Sequence, residues 1–204
     1  MPVPADAPVL DATEALLAPV GPGRRTQPFA SGADCRELSE QPTAVECGVA
    51  PTPSPQGALV WLVEGAAPSG LRVTAARGRA QPVLEADDPD GQRVSAVHDA
   101  AGDLDGTPGS EIVIGFRLRG SGAFLVLDAV GGDGTVLFHR SLDHGRARVG
   151  PSDIEAWSAR FGPEDPNCCP QAYVRDLVVT DGRSWRIAAI TEVPADDVPA
   201  GQFP

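Results

Sequence analysis

Val97-His98-Asp99-Ala100-Ala101-Gly102-Asp103-Leu104-Asp105-Gly106-Thr107-Pro108-Gly109-Ser110-Glu111 runs straight into Ile112-Val113-Ile114-Gly115-Phe116. An acidic, glycine-rich loop closed by a carboxylate is followed by a β-branched apolar run. Such a run, bounded by turn residues, reads as a buried strand. Asp103, Asp105, Thr107 and Glu111 fall at loop positions 1, 3, 5 and 9. Alternate residues of a tight loop can aim their oxygens at one centre, and oxygen is the ligand that Ca²⁺ takes. These four residues are the candidate metal ligands. The competing reading is an acidic turn whose aspartates bond their own backbone amides.

Working outward, the same strand-and-turn grammar continues. Residues 58–63 are an apolar run, 71–75 alternate apolar and polar, and 82–85 and 93–97 keep the pattern. Gly78 and Asp87-Asp88-Pro89-Asp90-Gly91 punctuate them. Beyond 111–118, Gly120-Ser121-Gly122 turns the chain into 123–128, and Gly131-Gly132-Asp133-Gly134 turns it into 135–139. Short turns join antiparallel strands, so a β-meander is expected. Residues 173–179 and 184–190, around Thr180-Asp181-Gly182-Arg183, carry a hairpin signal. Two capping-box spacings predict helices. Ser152-Asp153-Ile154-Glu155, with Ile154, Trp157 and Phe161 at helical spacing, predicts a helix over 152–161 packed on the sheet. Asp11-Ala12-Thr13-Glu14 before Ala15-Leu16-Leu17-Ala18 predicts a short helix ended by Pro19 and Gly21.

The expected fold class is therefore α+β, mainly an antiparallel β-sheet meander with one or two short flanking helices. The expected organisation is a flexible lead over 1–10, then a short helix and a disulfide-tethered irregular segment over 11–57. An antiparallel β domain follows over 58–191, with the helix at 152–161, and an acidic tail over 192–204.

Charge and composition exclude some functions. The chain has 204 residues and a net charge of −12, and all 16 of its basic side chains are arginine. Such an acidic chain lacks the basic patches that bind phosphates, which argues against nucleic acid and against an anionic membrane surface. No apolar run approaches the roughly 20 residues of a membrane span. The start Met-Pro-Val-Pro-Ala-Asp has no secretory leader, yet residues 2–8 read like the stalk left after one is removed. Cys35, Cys47, Cys168 and Cys169 fit no zinc spacing, and an even number points to disulfides in an oxidising compartment. Two arrangements are favoured. Either cross-links tie the Cys35–Cys47 segment to the Cys168-Cys169 turn, or Cys35–Cys47 accompanies a vicinal pair.

Two resemblances add to this reading. Asp103-Leu104-Asp105-Gly106 followed by Glu111-Ile112-Val113-Ile114 is similar to the calcium-type loops of FG-GAP and VCBS repeat proteins, although Thr107 stands where those loops carry a third Asp or Asn. Glu164-Asp165-Pro166-Asn167-Cys168-Cys169-Pro170 and the hairpin carrying Asp181-Gly182 and Trp185 resemble the Asp-x-x-Cys-Cys-Pro turn of secreted actinobacterial lipoproteins of the LppP/LprE-like type. That resemblance covers about residues 92–190 and implies a cell-envelope location, with little about mechanism.

Catalytic constellations are thin. His98-Asp99 with Ser95 or Ser110 invites a Ser/His/Asp reading, but no Gly-x-Ser-x-Gly elbow accompanies it. His139, His144 and Asp143 form a three-ligand metal candidate whose spacing suits neither a helix face nor a strand face. No residue is assigned a catalytic role. The expected function is an exported, envelope-associated accessory or binding protein without catalysis. It would have a protein partner at the envelope, no nucleic acid, no membrane span and no cofactor beyond possible Ca²⁺. The alternatives are a secreted hydrolase using the carboxylate and histidine rim near His98 and Asp103, and a calcium-stabilised adhesion or interaction module.

Overall fold

β-branched and aromatic residues, interrupted every few positions by Gly, Pro or Asp, fold here into successive antiparallel strands. The computed structural model describes residues 3–15, 18–19, 35–36, 40, 42, 44–50, 59–65, 71–77, 81–88, 93–100, 111–117, 124–130, 136–150, 152–166, 168–181 and 184–203. Its strands are β1 (Val9–Leu10), β2 (Ala18–Pro19), β3 (Ala44–Ala50), β4 (Leu59–Gly65), β5 (Leu71–Arg77), β6 (Gln81–Asp88) and β7 (Arg93–Ala100). They continue as β8 (Glu111–Arg117), β9 (Phe124–Val130), β10 (Val136–Asp143), β11 (Arg146–Val149), β12 (Asp153–Arg160), β13 (Ala172–Thr180) and β14 (Trp185–Pro194).

Three four-stranded meanders follow one another: β3 to β6, β7 to β10, and β11 to β14. All their pairings are antiparallel. Short β2 adds to the first sheet on β6, and β1 adds to the third on β14. The fold is thus mostly antiparallel sheet, as the turn pattern predicts.

The second and third sheets share one core. Leu125, Leu127 and Ala129 of β9 and Phe138 and Leu142 of β10 pack with Ala147, Ile154, Ala156 and Val178 of the third sheet. On β8 and β9 the opposite face of the second sheet is also dry, since Ile114, Phe116, Val126 and Asp128 are all buried. In the first sheet, Trp61 and Leu62 of β4 are buried. Trp61 lies opposite Gly48 of β3, where a methyl group would overlap the indole.

The helix expected over 152–161 is corrected: those residues form β12. Ile154 and Ala156 face the shared core, while Trp157 on the other face packs with Tyr173 and Val198. Because both faces are covered, apolar residues do not alternate cleanly, and the strand's period of two is hidden. The capping-box spacing coincides with a turn in which the Gly150 N–H donates to the Asp153 carbonyl at 2.8 Å.

The N-terminal helix is corrected as well. Asp11 does make the expected local bond, its Oδ1 accepting from the Thr13 N–H at 3.0 Å. A helix would next need the Asp11 carbonyl for the Ala15 N–H. That carbonyl instead accepts from the His139 N–H of β10 at 2.7 Å, and Ala15 donates to Ala12. One turn forms, and Ala18–Pro19 is strand. Among the described residues, helical backbone occurs at Cys35–Arg36 and in a 3₁₀ turn at Ala195–Asp197.

Both chain ends differ from the expected lead and tail. Ala7 is buried, the Ile187 N–H donates to the Pro8 carbonyl at 2.9 Å, and Val9–Leu10 is strand. β14 runs on to Pro194, after which residues 195–203 fold back as a strap along β11. The Gln202 N–H donates to the Ala147 carbonyl at 2.9 Å, and the Val149 N–H donates to Gln202 Oε1 at 2.6 Å. Phe203 enters the shared core against Gly115. The strap covers an edge strand that would otherwise expose unpaired backbone groups. The segment expected to be irregular over 11–57 also contains a full strand, β3.

Candidate functional site

Several charged groups meet in and between the second and third sheets. Hairpin register sets Asp128 of β9 directly opposite His139 of β10. The His139 backbone N–H points outward to Asp11, so the two residues form the close, non-hydrogen-bonded kind of cross-strand pair. Their side chains meet with His139 Nδ1 2.7 Å from Asp128 Oδ1. Asp128 has no exposure, so its charge is held by partners rather than by water.

Arg140, the next residue along, points to the other face of β10 because successive strand residues alternate. It reaches across to the third sheet and pairs with Asp176 of β13, which is 3% exposed. On the outer face of the third sheet, Arg175 pairs with Glu155 and Arg146 stacks over the Tyr173 ring at 5.4 Å. The Arg146 guanidinium also donates to the Val198 carbonyl of the strap at 3.1 Å. Arg160 and Glu192, on the same face as Ile154 and Asp176, pair at its exposed end.

The candidate residues from sequence distribute as follows. Glu111 opens β8 opposite Ala100, while Asp103, Asp105 and Thr107 lie outside the described residues. The loop that carries them therefore spans the β7–β8 hairpin. His98, Asp99 and Ser95 are on β7, with His98 opposite Val113 and Ser95 at a register shift; Ser110 is outside the described residues. The His139, His144 and Asp143 triad does not assemble: His139 is spent on Asp128, and His144 Nδ1 sits 2.7 Å from its neighbour Asp143. His144 occupies the tight turn after β10 at φ 45°, a conformation that costs a non-glycine residue energy. Its ring edge packs on Phe161 at 4.9 Å between centroids. Among the described residues, no group of three His, Cys, Asp or Glu side chains is placed to hold a metal. No helix among them is long and apolar enough to cross a membrane.

Of the cysteines, Cys35 and Cys47 form a disulfide. The expected cross-link from that segment to the Cys168-Cys169 turn is corrected, because Cys35 closes on Cys47 twelve residues away. Cys168 and Cys169 are free and exposed in the β12–β13 connection. That corner is fastened locally. The Gly162 N–H donates to Asp165 Oδ2 at 2.7 Å, and the Cys169 N–H donates to the Pro166 carbonyl at 3.0 Å. The hydrogen bond with Cys168, then burial and the charge of that neighbour, hold the Cys169 thiol above its ordinary range.

Sequence reasoning missed the pairings of Asp128 and Asp176. A signal existed for the first: a carboxylate ending the apolar run 123–128, across a hairpin from a histidine, needs a partner on the same face. The second joins strands far apart in the chain and left no local trace. No protein-family model matches this chain, and no curated protein and no solved structure shows significant similarity to it.

Proposed function

We propose that this chain is an extracytoplasmic accessory or binding protein of the cell envelope, with no turnover of its own and a protein as its partner. The observation that carries the reading is the Cys35–Cys47 disulfide, since structural disulfides persist in oxidising compartments. The resemblance of the Cys168-Cys169-Pro170 turn to LppP/LprE-like lipoproteins supports the same location. The Asp128–His139 and Arg140–Asp176 pairs support holding over turnover, because they use charge to fix strands against one another. Fractionation of the native host, with thiol trapping and affinity capture, tests the proposal. The expected result is envelope-associated protein with Cys35–Cys47 oxidised and a co-purifying protein. Cytoplasmic protein with both cysteines reduced would overturn it.

A second reading, a calcium-stabilised module, is favoured by one placement. Glu111, one of the four candidate ligands, opens β8 opposite Ala100, the last residue of β7. Bound cation raises stability by about 2.7 kcal/mol at a hundredfold excess over Kd. Melting in Ca²⁺ against chelator checks this, and an identical midpoint in both would end the calcium reading.

A further inference from the structure

Two adjacent free thiols project from one exposed corner, and the pairs of charges described above make no use of them. Residues on either side hold the corner by backbone and carboxylate hydrogen bonds, so the thiols are presented on a defined turn. The two sulfurs interact with each other, and Cys169 keeps its proton through that contact. Both thiols are exposed, so Cys168 can meet an incoming disulfide with Cys169 adjacent to resolve the product.

A bond between them would be labile. Neighbouring Cα atoms are about 3.8 Å apart across a trans peptide. Relaxed disulfides want roughly 4.4–6.8 Å. Strained, exposed disulfides are the readily reduced, exchanging ones. The surroundings also select what can approach. Glu164 and Asp165 precede the corner, and the Ala195 N–H donates to the Gln171 carbonyl at 3.0 Å, tying the turn that carries Asp196 and Asp197 to the residue before β13. Negative potential of this kind repels anionic reactants and draws cationic ones.

We propose that Cys168-Cys169 is a thiol–disulfide exchange site for uncharged or cationic disulfides. The Cys168 thiolate attacks one sulfur of the incoming disulfide, forming a mixed disulfide and releasing one thiolate. Cys169 then gives its proton to water, attacks the Cys168 sulfur and releases the second thiolate. Two protein thiols are oxidised to one vicinal disulfide and one external disulfide is reduced to two thiols, a direction that the strain of the vicinal bond opposes and an excess of external disulfide drives.

The full chain, with Cys35–Cys47 intact, is treated in turn with cystamine (cationic) and glutathione disulfide (anionic) at low and high salt. Alkylation and peptide mapping then follow each thiol. The expected product is a 168–169 peptide lacking two hydrogens, formed at least about tenfold faster with cystamine at low salt, the preference shrinking as salt screens the charges. Cys169→Ser and Cys168→Ser should each stop at a mixed disulfide on the remaining cysteine, with no closed product. The site is an exposed turn, so both variants keep the wild-type circular dichroism spectrum. Cysteines that remain fully alkylatable, mixed disulfides that never close in the wild type, or faster reaction with the anionic disulfide would each overturn the proposal.

Discussion

Phe203 tests whether the C-terminal strap belongs to the core. It is 2% exposed and packs with Leu125, Leu127, Phe138 and Trp185. Replacing a buried phenylalanine by alanine costs about 3–5 kcal/mol when the cavity stays open. The loss cannot exceed what fastens the strap, because the strap can peel away once its anchor is gone. Gly115 of β8 supplies the partner perturbation. A methyl at this position overlaps the Phe203 ring, so Gly115→Ala must push the ring out or strain the sheet, at about 1–3 kcal/mol. With the ring already removed, the same methyl has space and fills part of the void. Gly115→Ala should therefore destabilise the wild type and stabilise Phe203→Ala, a coupling of about 1–3 kcal/mol between the two sites. Urea unfolding read by tryptophan fluorescence measures all four proteins. Phe203→Ala costing under about 0.5 kcal/mol, or two strictly additive substitutions, would refute the packing argument.

Three further outcomes are expected. Arg140→Met leaves the buried Asp176 carboxylate without its cation and should cost about 3–5 kcal/mol, whereas Arg140→Met with Asp176→Leu should be close to neutral, both by urea unfolding. Equal losses in the single and double variants would contradict a buried pair. Replacing Cys35 and Cys47 by alanine opens a loop of twelve residues and should cost about 3 kcal/mol, seen as a melting point lower by roughly 6–12 °C; an unchanged midpoint would show that the cross-link does not stabilise the fold. The raised Cys169 thiol forms its thiolate only above the ordinary range of about 8.5. Its iodoacetamide labelling should therefore lag that of a simple thiol at mildly alkaline pH and reach the simple-thiol profile in Cys168→Ser. Identical profiles with and without Cys168 would refute the coupling.

The sequence made strands legible wherever one face is wet or a turn is marked by glycine. β5, β8, β9 and the β13–β14 hairpin all fall where alternation or an Asp-Gly turn predicts them. β12 was misread because the strap conceals its second face, so Trp157 and Ile154 are both buried although a strand sends them to opposite sides. Asp11 was misread for a different reason. Its local capping bond is real, and a distant donor, the His139 N–H, takes the carbonyl that a helix needs. In both cases long-range structure overrides a correct local signal. The Cys168-Cys169 corner was legible as chemistry, but sequence alone left its partner open.

β10 explains why two aspartates, Asp128 and Asp176, are buried among the described residues of so acidic a chain. His139 and Arg140 are consecutive, so a strand sends them to opposite faces. His139 meets Asp128 within the second sheet, and Arg140 meets Asp176 in the third. A one-residue slip of β10 against β9 would turn His139 toward the shared core and Arg140 away from Asp176. Asp128 would lose its His139 partner, and the buried Asp176 would lose its Arg140 cation, the latter at a cost of several kcal/mol. The apolar residues of β10 point the same way, since Phe138 and Leu142 are buried on the core face while Ser141 on the other face is exposed. The two charge pairs reinforce that alternation. They fix the register of β10, and through Arg140 they fix how the third sheet sits on the second.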